Sequence, residues 1–208
     1  MKAENRSLPP IFWDCRLAAG RGDGEKGKTM RDWNVVVTVN EGGFVQAIRF
    51  LEKLGEIAKT DYYNVLVMKS DDIPGLLDEL VRQISEEPEI ASFLSRIAPL
   101  THTFHFQSPE EFEGKAREIV LNWATVLAGK SFHARMHRRG FKGRISSQEA
   151  EQFLDGVLLE SLEKANTPAH VTFDDPDFII AVETLGPRAG ISLWTRKDLA
   201  RYPFLRLD

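Results

Sequence analysis

Phe132 to Glu149 reads FHARMHRRGFKGRISSQE, and its pattern predicts three consecutive elements. Apolar side chains occupy every second position from Phe132 to Met136, with His or Arg between them, which is typical of a strand with one buried face. We extend this strand from Ser131 to Arg139. A glycine-flanked basic loop follows, and Ser146-Ser147-Gln148-Glu149 is a capping-box pattern that predicts the start of a helix.

The same region carries an uneven charge. The chain of 208 residues has a formal net charge of −4, yet residues 119–148 contain no Asp or Glu. This window holds six Lys and Arg residues, and without them the rest of the chain carries −10. A basic island on an acidic protein indicates a polyanionic ligand. The alternative is a solvated face that happens to be basic.

Elements on either side of this stretch predict a second domain over residues 108–208. Ser108-Pro109-Glu110-Glu111 is a capping-box pattern with Pro at the first helical position. After the helix that begins at Ser146, Val171 to Phe173 forms a short predicted strand. Phe178–Leu185 and Ala189–Trp194 then form a predicted hairpin across Gly186-Pro187-Arg188.

Residues 32–107 predict a first domain in which strands alternate with helices. The predicted strands are Asn34–Val39, Tyr63–Met68 and Leu100–Phe106, and the two intervening segments show helical spacing of apolar residues. Residues 1–31 predict a flexible N-terminal tail because Gly20 to Lys28 contains glycines and charges without an apolar residue.

Several functional classes are disfavoured by composition. No apolar run approaches the ~20 residues that span a bilayer, and the N-terminus has no secretory signal pattern. A single cysteine, Cys15, excludes an intramolecular disulfide. We find no nucleophile motif, no cofactor-binding glycine loop and no metal-ligand spacing; His133 and His137 lie roughly 13 Å apart on a strand. We therefore expect a cytoplasmic protein with no catalytic residue, no cofactor and no metal.

Two alternatives stay open. Asp174-Asp175-Pro176-Asp177 clusters three carboxylates, and a small-molecule or metal-dependent enzyme would use such an acidic turn. A Pro-containing turn is the simpler interpretation. The second alternative is a protein-interaction module whose basic loop meets an acidic partner.

The basic island provides the candidate site, which suits the phosphate backbone of RNA or another polyanion. Arginine binds phosphate in a bidentate manner, and a helix N-terminus adds unpaired N–H groups. His133 and Phe141 are candidates for stacking on unpaired bases. Because a core does not bury many unpaired charges, we expect Arg138, Arg139, Lys142 and Arg144 all to be exposed. The full candidate set is Lys130, His133, Arg135, Arg138, Arg139, Phe141, Lys142 and Arg144.

This region resembles a THUMP domain. The resemblance rests on Phe-x-x-Arg-x-x-Arg-Arg at 132–139, the helix start at 146–149, the strand–turn segment at 171–177 and the two strands at 178–183 and 190–193. Upstream, Arg96 to Leu100 and Phe112 to Leu127 resemble one branch of the family, the stand-alone adaptors of tRNA cytidine acetylation. The likeness covers roughly residues 33–200.

The resemblance implies an α/β (α+β) chain with an N-terminal ferredoxin-like domain followed by an α/β THUMP core with a mixed sheet. It implies binding of tRNA or another structured RNA and a role in tRNA modification and processing. It also implies that the chain is not an enzyme and presents tRNA to a partner, a tRNA-modifying enzyme such as a cytidine acetyltransferase.

Overall fold

The computed structural model describes residues 30–205. Most of the predicted tail, residues 1–31, and the single cysteine therefore lie outside the described residues. The predicted fold class is confirmed: the chain is mixed α/β, with one four-stranded and one five-stranded sheet. Within the described part, no helix combines the length and the apolar character needed to cross a membrane.

The first unit has the ferredoxin-like order of elements. Its strands are β1 (Val35–Val39), β2 (Glu56–Lys59), β3 (Val65–Lys69) and β4 (Leu94–Pro99), and its helices are α1 (Phe44–Leu51), α2 (Ile73–Glu86) and α3 (Ile90–Phe93). The sheet order is β2-β3-β1-β4, and every neighbouring pair is antiparallel. The β-branched residues of β1 explain its position, since both of its faces are buried.

Two predictions for this unit are wrong. β2, a four-residue strand with one buried side chain, Ala58, was not predicted. The last strand of this unit is Leu94–Pro99 and not the predicted Leu100–Phe106. A second strand, β5 (His102–His105), follows directly and pairs with the other sheet. The chain therefore passes from one sheet to the other within two residues, and no long loop marks the change.

The second unit contains the predicted basic strand. Its further elements are α4 (Pro109–Leu121), α5 (Ala124–Leu127), β6 (Ser131–Arg139), α6 (Ser147–Lys164), β7 (His170–Val171), β8 (Phe178–Leu185), β9 (Arg188–Thr195) and α7 (Arg196–Arg201). The sheet order is β5-β9-β8-β6-β7. β6 is parallel to β7 and β8, and the other pairs are antiparallel, so the sheet is mixed.

Both predicted helix caps of this unit are present. The Ser108 side chain accepts a hydrogen bond from the backbone N–H of Glu111 at 3.2 Å. The Ser146 side chain accepts one from the N–H of Glu149 at 3.3 Å. Each bond satisfies a backbone donor that the helix itself leaves unpaired. The cap at Ser146 fixes where the basic loop ends and α6 begins.

The two units share one core at the end of the described chain. Tyr202, Phe204 and Leu205 pack with the apolar residues of the first sheet, together with Ile179 and Trp194 from the second sheet. The Tyr202 hydroxyl donates to Asp78 on α2 at 2.7 Å. Part of one face of the second sheet is thus covered by the first unit. The edge strands of the second sheet are β5 and the short β7.

Carboxylates of α6 accept hydrogen bonds from backbone N–H groups of β6 that β7 does not pair with. Beyond Phe132, β7 no longer pairs with β6. The N–H of Ala134 donates to Asp155 at 2.8 Å, and the N–H of Met136 donates to Glu151 at 2.7 Å. Asp155 is buried. Burial, with a smaller effect from the nearby Glu151 charge, raises the pKa of Asp155 to about 7, although the bond from Ala134 opposes this shift.

Asp155 makes a pH-dependent contribution to stability. The pKa of Asp155 is near 3.9 in the unfolded state and about 7 in the folded state. Between these two pH values Asp155 is ionised in the unfolded state and protonated in the folded state. The contribution of Asp155 to stability is therefore lost as the pH rises through this range. An amide oxygen still accepts from Ala134. Asp155→Asn is therefore expected to leave unfolding unchanged near pH 4 and to stabilise the protein by about 1–3 kcal/mol at pH 8. Urea titrations at both pH values test this, and equal effects at the two would contradict it.

Candidate nucleic-acid interface

The two faces of β6 have different environments. Phe132, Ala134 and Met136 lie in the core that α6 covers, as the alternation predicts. The opposite face carries His133, Arg135 and His137. On this face the first unit approaches the sheet near the C-terminal end of β6, where the side chain of Arg139 reaches Thr38 of β1. The basic side chains therefore lie beside the junction of the two units.

The loop after β6 holds its cations outward. Gly140 has φ +97°, and a Cβ there would lie 2.8 Å from the Tyr62 hydroxyl oxygen and 2.9 Å from Gly186 Cα, so only glycine fits. Ile145 is buried and anchors the other end of the loop. Between them Lys142 and Arg144 are exposed. Lys142 has no ion-pair partner within the described residues.

The structure distributes the eight candidate residues over three environments. Lys130, Lys142 and Arg144 are exposed; Arg135, Arg138, Arg139 and Phe141 are half-buried; His133 is buried. Lys130 lies at the start of β6 and the other two exposed cations lie beyond its end. A strand of nine residues, at about 3.3 Å each, separates them. The exposed charge thus borders both ends of the strand.

The expectation that four basic residues are exposed is wrong for Arg138 and Arg139. Arg138 Nη1 donates to the carbonyl of Gly140 at 2.5 Å. Arg139 Nη1 donates to Glu183 Oε2 at 2.8 Å, and its Nη2 donates to Thr38 at 3.0 Å. These guanidinium groups hold the loop and the junction between the units. Only the loop cations Lys142 and Arg144 meet the expectation.

Glu183 is the centre of a buried ionic group. It is 1% exposed and lies on β8. Arg96 of β4 and Arg139 of β6 bind its two carboxylate oxygens. Burial raises the pKa of Glu183, and the charges and hydrogen bonds of the two arginines act in the opposite direction. The group joins β4 of the first sheet to β6 and β8 of the second.

The predicted stacking role does not fit His133. This residue is 7% exposed, and its Nδ1 donates to the carbonyl of Thr172 at 2.8 Å. Its ring lies 4.9 Å from the ring of Phe173, measured between centroids. His133 therefore offers no open face to a base. Phe173 itself is 71% exposed, although the sequence pattern had assigned it to a strand.

The ring of Phe141 also has protein partners. Its centroid lies 4.8 Å from that of Phe106, and the guanidinium carbon of Arg144 lies 4.9 Å from it. The backbone at Phe141 has φ +50°, and its carbonyl accepts from the N–H groups of Arg144 and Ile145. Phe141 thus shapes the loop that presents Arg144. Its contact with RNA stays a prediction.

The acidic turn at 174–177 is bound to neighbouring residues. Asp177 accepts from the N–H and the hydroxyl of Ser131 at 3.0 and 3.1 Å. Asp175 pairs with Arg196 at 2.7 Å. Among residues 30–205, no three His, Cys, Asp or Glu side chains gather closely enough to hold a metal ion. The two partnered carboxylates fasten the turn to β6 and α7.

Comparison with known proteins identifies relatives by fold. No protein-family model matches the chain, and no curated protein matches it in sequence. Solved structures do share the fold. PH1313 from Pyrococcus horikoshii is 16% identical, with a TM-score of 0.53 over 77% of this chain and 53% of that chain. TrmN from Thermus thermophilus is 17% identical, with a TM-score of 0.53 over 76% of this chain and 44% of that chain.

A third match is weaker. A 4-thiouridine synthetase in complex with RNA and bound ATP is 14% identical, with a TM-score of 0.47 over 78% of this chain and 41% of that chain. The chain therefore spans about half the length of the structures that it matches. The superpositions on PH1313 and TrmN show a shared fold, and that fold is consistent with the THUMP-like architecture expected from the sequence.

The prediction that the chain is not an enzyme is contradicted by these comparisons. The prediction depended on finding no catalytic signature within 208 residues, yet the matched chains are about twice as long as their shared part. We therefore withdraw it.

The buried ionic group predicts a large difference between two glutamates. Glu183→Ala leaves two guanidinium groups without their carboxylate and is expected to destabilise the protein by about 3–5 kcal/mol. Glu86→Ala removes an exposed partner of Arg82 and should cost less than about 0.5 kcal/mol. Urea unfolding of both variants measures the difference. Equal losses would show that the Glu183 group does not join the units.

Proposed function

We propose that this chain is an RNA-binding unit that acts in tRNA modification. The observation that carries the proposal is the exposed pair Lys142 and Arg144 on a loop that leads directly into the capped N-terminus of α6. These cations belong to an acid-free stretch of an otherwise acidic chain. Cations, a helix N-terminus and a glycine-containing loop together suit a phosphate backbone.

The site is built to keep its charge available. The buried carboxylate of Glu183 forms an ion pair with Arg139. Lys142 has no ion-pair partner in the described part of the chain. Arg144 is oriented by the ring of Phe141 and by the carbonyl of Gln107 at 3.3 Å. Arg144 contributes to the lowered pKa of Glu110, after the larger effect of hydrogen bonds from Ser108 and the backbone, but it forms no ion pair within the described residues. An exposed cation that is oriented in this way retains its attraction for phosphate.

The finer proposal concerns the RNA and its fate. The sequence resemblance to THUMP domains supports tRNA as the ligand, and its adaptor branch supports delivery of the bound tRNA to a modification enzyme, such as a cytidine acetyltransferase. We place this role in the cytoplasm, as the composition suggests. The shared fold with PH1313 and TrmN is compatible with it.

Neither alternative has comparable support. An enzyme that uses the acidic turn would need available carboxylates, but Asp175 and Asp177 are held by Arg196 and Ser131. A protein-interaction module with an acidic partner would use the same loop cations. Competition with unlabelled RNA separates the RNA-binding function from the protein-interaction function. If the loop binds RNA, the competitor displaces bound tRNA. If the loop instead binds a specific acidic protein, that complex is insensitive to the competitor.

Binding of tRNA is expected to depend strongly on salt. About four phosphate contacts predict a slope of about −3 for the logarithm of the association constant against the logarithm of salt concentration. The double variant Lys142→Glu/Arg144→Glu should bind at least tenfold more weakly, a change of about 1.4 kcal/mol, with a shallower slope. Filter binding at several salt concentrations measures both quantities.

The control is a reversal of charge elsewhere. Glu86 and Glu87 lie at the end of α2 in the first unit, and Glu86→Lys/Glu87→Lys should not weaken binding. Arg139 is unsuitable for this test, because a second carboxylate beside Glu183 would disrupt the buried group. A flat salt response, or a folded loop variant that binds like the parent, would refute the proposal.

A further inference from the structure

Phe173 has an exposed aromatic ring that packs against a buried side chain. It follows β7 in the loop to β8 and is 71% exposed. One of its neighbours is the buried ring of His133, at 4.9 Å between centroids and 41° between planes. Tyr63, the other aromatic residue with high exposure, makes no ring contact within the described residues. Exposed apolar side chains are common singly, but a buried support beneath one is a distinguishing feature.

The backbone around Phe173 is fixed. The N–H of Thr172 donates to the carbonyl of Phe132 at 3.1 Å, and the carbonyl of Thr172 accepts from His133 Nδ1 at 2.8 Å. The hydroxyl of Thr172 also accepts from the N–H of Asp174 at 3.2 Å. Residues on both sides of Phe173 are therefore tied down, so binding to this ring would cost little ordering of the loop.

The negative charges near Phe173 disfavour the phosphate of a nucleotide more than its uncharged base. Asp174 is exposed, and the neighbouring carboxylates of Asp175 and Asp177 contact Arg196 and Ser131. This acidic turn repels a phosphate but leaves the uncharged face of a base unaffected. Lys130 lies close enough to contribute to the lowered pKa of Asp177, after the larger effect of the hydrogen bonds from Ser131. A cation that can attract the RNA backbone is thus available near Asp177, in the same loop that carries Phe173.

We propose that Phe173 is a stacking platform for an unpaired nucleobase of the bound RNA. The inference rests on the proposed RNA-binding function and deepens it, because it names unpaired nucleotides as part of the ligand. Stacking on an aromatic side chain is tolerant of base identity and requires a base that is not within a duplex. The buried ring of His133 packs against Phe173 and has no open face for the RNA.

The test compares single-stranded and duplex RNA. Phe173→Ala is expected to lower affinity for a ten-nucleotide single strand about 5- to 150-fold and to leave the salt slope unchanged, since no charge is lost. Binding of a fully paired duplex should change less than about twofold. Phe173→Trp should retain single-strand affinity. Tyr63→Ala is the matched control, because it removes a similarly exposed ring that has no ring partner within the described residues.

The outcomes separate this inference from the proposed function. If Phe173→Ala binds the single strand like the parent while Lys142→Glu/Arg144→Glu is weakened, RNA binding stands and the stacking role is overturned, which leaves Phe173 as a surface for a protein. If Phe173→Ala weakens single-strand and duplex binding equally, stacking is also overturned. If the parent binds tRNA but not the single strand, only the stacking role is overturned, and if it binds none of the three RNAs, both proposals fail. Urea unfolding of each variant confirms that the fold is retained, as expected for an exposed position.

Discussion

The carboxylate of Glu183 is the interaction on which the arrangement of the two units depends. Removal of a charge from water costs several kcal/mol, and this cost is offset only when partners with good geometry surround it. Arg96 comes from the first sheet and Arg139 from the second, so the requirement is met only when both sheets are in place. The same requirement decides which cations reach solvent. Arg139 is bound at the junction between the units, whereas Lys142 and Arg144 of the loop remain exposed to solvent.

Local pattern was sufficient for the elements that carry the basic loop. The alternation in β6 and the caps at Ser108 and Ser146 are short-range features, so a sequence displays them directly. The strand β2 escaped prediction because its four residues, Glu-Ile-Ala-Lys, show little β-branched character. Its place in the sheet comes from pairing with β3, a tertiary effect that overrides local propensity.

The site was harder to predict than the fold, because its assignment depends on contacts between distant residues. Arg139 and Glu183 are 44 residues apart, and Arg96 and Glu183 are 87 apart. Nothing in the spacing of basic residues distinguishes Arg139, which is neutralised, from Lys142, which is not. Phe173 was misassigned for a related reason. An aromatic residue after two strand residues suggests burial, but β7 ends at Val171 and the loop turns the ring outward.

The position of Tyr202, Phe204 and Leu205 in the core of the first sheet has a consequence for biosynthesis. A domain near the N-terminus commonly folds while the rest of the chain is still being translated. Here the first sheet receives part of its core from residues that leave the ribosome after every strand of the second sheet. Until these residues emerge, the nascent first sheet would expose the apolar surface that they later cover, so this interval is when it is most vulnerable to aggregation.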